Sequence, residues 1–402
     1  MTTWSFTHRD HLQTLMDRFD CSFFCYDLDA LDEHLKSMQK MIPEGVKLWY
    51  ATKANPLSEV LKTFRKNGFG IDVSAQGEMN HALNAGFNPS SMLSTGPSKS
   101  RKYLRSLVDH GIGTVVLESP NQARWLNEIA LEKNQVVDVL LRVQLPWKEG
   151  KSVLGGDEIT AFGMEPDAWK QSEVTSMKGL NIRGFHCFQW GNILDAKRLG
   201  SIWSTIAQKL VELSDEMSIE LEVLDLGGGL GLDYEEHQSP LQFEDVSAEL
   251  KKIKENFNVP EIWMELGRYA VGNFGVYCTQ IIDRKSTRGR ELLVTDGGIN
   301  HLVRPAITNQ AFPCELFRTS ESQSMRYHVH GPLCTALDVL GSFELPSDIG
   351  PGDWLVFKKT MAYGFTESMP FFLCHNLPAE TIIKDGSLEV LRGIETAASW
   401  LV

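Results

Sequence analysis

From about residue 25 to about residue 270, short runs rich in apolar and β-branched residues alternate with longer segments whose apolar positions recur at helical spacing. The strand-like runs are eight, at 48–51, 70–74, 92–95, 114–118, 137–143, 182–188, 223–226 and 262–265. Between them lie helical stretches such as SEVLKTFRKNGF, GEMNHALNAGF, SRKYLRSLVDHGI, NQARWLNEIALEKN and DAKRLGSIWSTIAQKLVELSDEM. Several open with Ser or Asp and close at Gly or Asn, as capped helices do. Strict alternation of strand and helix predicts parallel strands joined by crossover helices. Eight such units fit a closed (β/α)8 TIM barrel, whereas an open doubly wound sheet usually stops at about five to seven strands. Beyond residue 270 the pattern changes to β-like runs, VYCTQIIDRK, ELLVTDGG, RYHVHG, DWLVFKK and FFLCHNL, separated by Gly, Pro, Asp and Asn. These predict an antiparallel β domain. The expected division is a barrel over 25–270 and a second domain from 1–24 with 271–402, with neither internal repeats nor a low-complexity linker.

A chain of 402 residues exceeds what one hydrophobic core usually serves, in keeping with two domains. The net charge of -13 excludes a generally basic surface for nucleic acid or anionic lipid. Seven cysteines, an odd number without a CxxC pair, fit neither a disulfide framework nor a zinc site, so a reducing cytoplasm and no metal are expected. The first residues, MTTWSFTHRDHLQTLMDRF, mix charges with apolar residues and lack the profile of a signal peptide. No run of 18 apolar residues offers a membrane span.

Barrel enzymes place their chemistry at the C-terminal ends of the strands. The first strand runs into YATKANP, which brings Lys53 to the barrel mouth as the expected sole amine there, either a Schiff-base former or a solvated loop lysine. The seventh runs into DLGGGLG, where Gly227, Gly228 and Gly229 can close backbone N–H groups on an anion or simply make a tight turn. The eighth ends in MELGRYAVGNFG, with Glu265 at the mouth and Arg268 beside the glycines; a structural ion pair is the plainer alternative. His186 closes the sixth strand in GFHCFQWGN, as a satisfied core histidine or a flat ring to stack on a ligand. Arg142, in the fifth strand, is a cation that needs an anionic partner. In the tail, GPLCTALD carries Cys334 and Asp338, and AYGFTES carries Tyr363.

In this order the motifs resemble those of the fold-type III pyridoxal-5′-phosphate (PLP) decarboxylases, which include the ornithine, diaminopimelate and carboxynorspermidine decarboxylases. The resemblance covers nearly the whole chain. It implies an alanine-racemase-like PLP-binding barrel with a C-terminal β domain, a homodimer with active sites shared across its interface, and a small-molecule substrate. YATKANP resembles the family's cofactor-lysine motif and gives Lys53 the covalent bond to PLP. GFGIDVSAQGE resembles its second-strand motif and sets Asp72 and Ser74 near the cofactor. By the same resemblance His186 stacks on the ring, Gly227 to Gly229 and Arg268 bind the phosphate, Glu265 pairs with the pyridine nitrogen, and Arg142 belongs to the cofactor site. Tyr363 and Cys334 come from the partner subunit, Cys334 as the acid that reprotonates the product carbon.

Several positions depart from the family pattern. The usual H-x-H-x-G-S is here His186-Cys187-Phe188-Gln189-Trp190-Gly191, E-P-G-R is E-L-G-R, and G-A-Y is Met361-Ala362-Tyr363. The C-E-S-G-D of diaminopimelate decarboxylases, whose Glu serves the distal amine, is Cys334-Thr335-Ala336-Leu337-Asp338. With TDGGINHLVRP, this form looks more like the branch that decarboxylates citryl conjugates in siderophore biosynthesis. Arg304, Asp338 and Tyr363 are the candidate substrate contacts; Arg304 matches the arginine that contacts a substrate carboxylate in diaminopimelate decarboxylases and is either an anion clamp or a surface or interface ion pair. The alternatives are a diaminopimelate-, ornithine- or lysine-type enzyme, a carrier-bound amino-acid decarboxylase, an amino-acid racemase, a catalytically inactive regulatory homologue, and a Schiff-base aldolase without PLP.

Overall fold

The computed structural model describes residues 7–146, 151–152, 155–156 and 159–401, so the first six residues of the N-terminal stretch MTTWSFTHRDHLQTLMDRF lie outside it. The chain divides into two compact units, one of His34–Leu232 with Pro240–Ala270, the other of Met1–Glu33, Asp233–Ser239 and Val271–Val402.

The first unit is the barrel. Its strands are Val46–Ala51, Gly70–Val73, Met92–Ser94, Thr114–Leu117, Val137–Arg142, Leu180–His186, Val223–Asp225 and Glu261–Leu266. They form a closed ring in which all neighbours are parallel and the eighth pairs with the first, Leu266 opposite Tyr50. Ser100, Ser119 and Asp195 cap the helices that follow, each side-chain oxygen accepting from a backbone amide three residues on.

Side chains alternate between the two faces of a strand, and here the inward face is layered. Trp49, Leu93, Val116, Leu140, Val223 and Trp263 form one buried apolar cluster drawn from six strands. The Trp49 and Trp263 rings lie 4.8 Å apart. Gly70 completes this layer because a Cβ there would run into the Trp49 ring. Two residues further along the same strands stand Asp72, Thr95, Glu118, Arg142, Asp225 and Glu265, a polar layer on an apolar floor.

The second unit is a nine-stranded, mostly antiparallel sheet. Phe23–Asp27 runs between Gly275–Thr287, to which it is antiparallel, and Ala379–Lys384, to which it is parallel. The helix Arg9–Phe19 buries Leu12, Leu15 and Met16 with Phe23, Val276, Val356 and Ile383. FFLCHNL is not a strand. Its Phe372–Cys374 portion is a 3-10 turn in which Leu373 and Cys374 take φ of 60° and 58°, and Phe371, Phe372 and Leu373 are exposed, so no sheet partner rewards an extended chain. No helix among the described residues is long and apolar enough to cross a membrane.

Replacing Trp49 with Ala removes the largest contact in the apolar floor and leaves a cavity in a closed ring. We predict a loss of about 3–5 kcal/mol, measured as a lowered denaturant midpoint; an unchanged midpoint contradicts the layered core.

Candidate active site

The polar layer gathers at the C-terminal ends of the strands. Glu265, at the end of the eighth strand, accepts a hydrogen bond from His186 Nε2 at 3.0 Å. Burial alone would raise the Glu265 carboxyl, but the His186 imidazole, through its charge and hydrogen bond, and the more distant Lys53 and Arg142 bring it down to about 2. It is therefore ionised at neutral pH. The other ring nitrogen, His186 Nδ1, is buried without a hydrogen-bond partner.

Asp72, at the end of the second strand, is buried, and its Oδ1 accepts from Thr95 Oγ1 at 2.6 Å. Its Oδ2 has no hydrogen bond and lies 3.6 Å from Lys53 Nζ. Burial, then repulsion from Glu265, raise this carboxyl to about 7 against the pull of Lys53. Lys53 itself is 45% exposed, so the structure gives an amine at the mouth, next to a carboxylate and open to solvent. Ser74 joins through its hydroxyl, 3.1 Å from Thr95 Oγ1, while its amide donates to Glu78 Oε2 at 2.6 Å.

The glycine loop is locked onto the eighth strand. Gly227 takes φ of 63° and Gly229 of 109°, conformations that disfavour a side chain. A Cβ on Gly228 would collide with the Glu265 carbonyl oxygen. The Gly227 carbonyl accepts from the Glu265 amide at 2.8 Å. The Phe188 ring lies against Gly227 and Gly228 from the other side, in the stretch where the family motif has a second histidine, and Gly191 also faces it. Arg268 opens the short helix Arg268–Val271 immediately after the eighth strand.

Arg142 finds the anion it requires. It donates to Glu118 Oε1 at 2.9 Å and stacks over the Phe162 ring at 4.4 Å, while Glu118 Oε2 accepts from the Gly163 amide at 2.7 Å. Arg142 thus fastens the segment 160–164 beside the fifth strand, and its charge reaches Glu265 through space.

Three groups escaped the reading of the sequence. Glu118 is Arg142's partner, Asp225 is a fully buried carboxyl on the seventh strand, and Lys99 is a second amine, buried after the third strand, so Lys53 is not alone. Lys99 donates to the Gly96 carbonyl oxygen. Burial lowers it to about 8, although Glu118, Asp72 and Glu265 pull the other way. The spacing of two residues from apolar floor to polar layer was the available signal for Glu118 and Asp225; TGPSKS offered none for Lys99.

The remaining candidates belong to the second unit. Cys334 is exposed and unbridged. Asp338 is buried, and its carboxylate accepts from the amides of Ile299 at 2.8 Å and Leu333 at 2.7 Å. It therefore clasps the turn that carries Cys334, with one backbone amide on each oxygen. Arg304 binds both oxygens of Glu367, at 3.0 and 2.9 Å, and stacks over the Tyr363 ring at 4.6 Å, yet its Nε is buried with no partner. Tyr363 holds φ of 54°, uncommon for a bulky residue and a mark of local strain.

An exposed amine, a glycine cradle, an ionised carboxylate and buried atoms without a hydrogen bond, His186 Nδ1, Asp72 Oδ2 and Asp225 Oδ2, form one end of the barrel. That donor set suits a carbonyl-bearing, phosphorylated, nitrogen-containing ring. The comparisons agree. Residues 28–272 match the family model described as pyridoxal-dependent decarboxylase, pyridoxal binding domain. The chain is 26% identical to L-glutamyl-[BtrI acyl-carrier protein] decarboxylase of Niallia circulans, over 96% of this chain and 94% of the relative. It is also 26% identical to 2-[(L-alanin-3-ylcarbamoyl)methyl]-2-hydroxybutanedioate decarboxylase of Staphylococcus aureus, over 88% of this chain and 92% of the relative. Diaminopimelate decarboxylase of Helicobacter pylori, solved with L-lysine, superposes with a TM-score of 0.87 at 21% identity, covering 96% of this chain and 98% of that one, a likeness of fold.

Because Asp72 is raised when folded, the native state holds a proton that the unfolded chain has released. Stability from this group is complete below about pH 4 and is lost as pH rises to about 7. Asp72→Asn should flatten that part of the stability–pH curve of the PLP-free protein, followed by denaturant midpoints from pH 4 to 8; an unchanged slope contradicts the raised carboxyl.

Proposed function

The chain belongs to the PLP-dependent decarboxylases, and on that premise we propose that it removes the α-carboxylate of an amino acid whose distal end carries a polycarboxylate, a citryl conjugate of the kind used to build carboxylate siderophores. The observation that carries this reading is the pair of side chains at two positions in the tail. Thr335 stands where the C-E-S-G-D form has the Glu that meets a distal ammonium, whereas the half-buried Arg304 keeps a buried Nε without a hydrogen-bond partner beside Tyr363. A free diamino acid loses its anchor, and a carboxylate gains one worth roughly 1.5–3 kcal/mol as a charge-assisted hydrogen bond.

Bound PLP supplies an electron-withdrawing ring that accepts the charge left behind when carbon dioxide departs. The protein's own groups prepare for that. Lys53 holds the cofactor covalently, with Asp72 beside its amine to exchange protons, and Ser74 and Thr95 fix Asp72. The amides of Gly228 and Gly229 and the guanidinium of Arg268 hold the phosphate, while the Gly227 amide, bound to Asp225, shapes the loop. Glu265, ionised, keeps a proton on the ring nitrogen, and His186 fixes that carboxylate with one nitrogen while presenting its ring face. The Arg142–Glu118 pair is part of the same electrostatic set. Two copies form a homodimer in which the tail of each brings Tyr363 and Cys334 to the barrel of the other, and the exposed thiol of Cys334 delivers the proton to the product carbon. The setting is the cytoplasm.

A second reading, an amino acid carried on an acyl-carrier protein, is favoured by the long match to the Niallia relative. One assay separates the two. Carbon dioxide release is measured for citryl-diaminopropionate and citryl-serine, for an aminoacyl carrier protein, and for free lysine, ornithine and diaminopimelate, using the wild type and Arg304→Ala. The citryl conjugates should turn over, with Arg304→Ala raising their KM about tenfold or more while PLP binding is kept. Turnover of a free diamino acid at a kcat/KM of about 10⁴ M⁻¹s⁻¹ or better, or of the carrier-bound substrate alone, overturns the citryl assignment.

A further inference from the structure

Asp225 closes the seventh strand two residues before the glycine loop, and none of it is accessible to solvent. Its Oδ1 accepts from the Gly227 amide at 2.9 Å, and its backbone carbonyl accepts from the Cys187 amide at 2.9 Å. Its Oδ2 is buried with no hydrogen-bond partner. One ligand-type atom each from His186, Asp225 and Glu265 lies within 4.8 Å of the other two.

Two ionised carboxylates cannot share so small and dry a space unless a cation answers each. The charged groups around Asp225 are few, and most are committed. From the sixth strand His186 gives its Nε2 to Glu265. From the fifth strand Arg142 is paired with Glu118 at 2.9 Å. From the end of the first strand Lys53 stands 3.6 Å from Asp72. Glu265 on the eighth strand adds repulsion. An unpartnered oxygen costs far less on a neutral acid than on an anion.

We propose that Asp225 is a positioning residue that works as a neutral carboxylic acid: through Oδ1 it fixes the Gly227 amide, and by carrying a proton it leaves Glu265 the ionised member of the pair. The direction of the buried group agrees, since burial first and Glu265 second push the Asp225 carboxyl well above its ordinary range. The result is a division of labour between neighbouring carboxyls, set by environment. Asp225 shapes the phosphate loop without adding negative charge where a phosphate must sit, and the Glu265 amide, bound to the Gly227 carbonyl at 2.8 Å, ties that loop to the residue facing the ring nitrogen.

This inference rests on the PLP reading for its purpose, but the protonation state is testable without cofactor. The full chain is labelled with carboxyl-¹³C aspartate, and the infrared carbonyl band of protonated carboxyl groups is recorded at about pH 8, above the value near which Asp72 titrates, for the wild type and Asp225→Asn, each with and without PLP. A protonated-aspartate band present in the wild type and lost in Asp225→Asn is expected. Equilibrium dialysis then gives PLP affinity. Asn mimics the neutral acid, accepting from Gly227 in the same way, so Asp225→Asn should stay within about threefold of wild type, while Asp225→Ala, which frees the loop, should bind about tenfold more weakly or worse. A band unchanged by Asp225→Asn, or an Asn variant as weak as the Ala variant, overturns the proposal. If Asp225→Ala does not fold, the wild-type and Asn spectra still decide. A wild type that binds no PLP would sink the cofactor reading and leave the cofactor-free spectra to judge Asp225.

Discussion

Side chains on a strand alternate between two faces, and closing eight strands into a ring turns that period into layers. The site depends on this constraint. Once Trp49, Leu93, Val116, Leu140, Val223 and Trp263 fill one level, the next inward positions must be the residues two places on, and these are polar or charged on every one of those strands but the first, where the chain instead turns toward Lys53. A ring of charges on an apolar floor, away from water, survives only if members answer one another. They do: Glu265 with His186, Glu118 with Arg142, Asp72 with Thr95 and Lys53. Those pairings, more than any single residue, decide which carboxyls are ionised.

The order of the chain made much of this legible. All eight barrel strands fall where alternating apolar runs placed them, because strands buried on both faces read as short apolar blocks and the intervening helices carry their own caps. The strand-end rule then picked out Lys53, His186, Glu265 and the glycines, since each lies in a motif interrupting an apolar run. Lys99 was missed because nothing in TGPSKS distinguishes a buried lysine from a solvated one; only the fold removes it from water. Asp225 was visible but was absorbed into the glycine motif.

The tail was harder, for a physical reason. Its sheet is completed by Phe23–Asp27 from the far end of the chain, and Phe371, Phe372 and Leu373 carry the hydrophobicity of a strand into an exposed turn. Apolar content alone cannot separate a sheet interior from a surface awaiting a partner. The same holds for single residues. Asp338 reads in sequence as a substrate carboxylate, and only the fold shows that two backbone amides bind it and that Arg304, paired with Glu367, holds a buried Nε without a hydrogen-bond partner.

Everything proposed for the site follows from which amine holds the cofactor, and two lysines lie among the strand ends, Lys53 exposed beside Asp72 and Lys99 buried against Gly96. Borohydride reduction of the PLP-loaded protein, followed by peptide mapping by mass spectrometry, distinguishes them. A single pyridoxyl label on Lys53, absent from Lys53→Ala, is the predicted result; a label on Lys99, or none on either lysine, contradicts it.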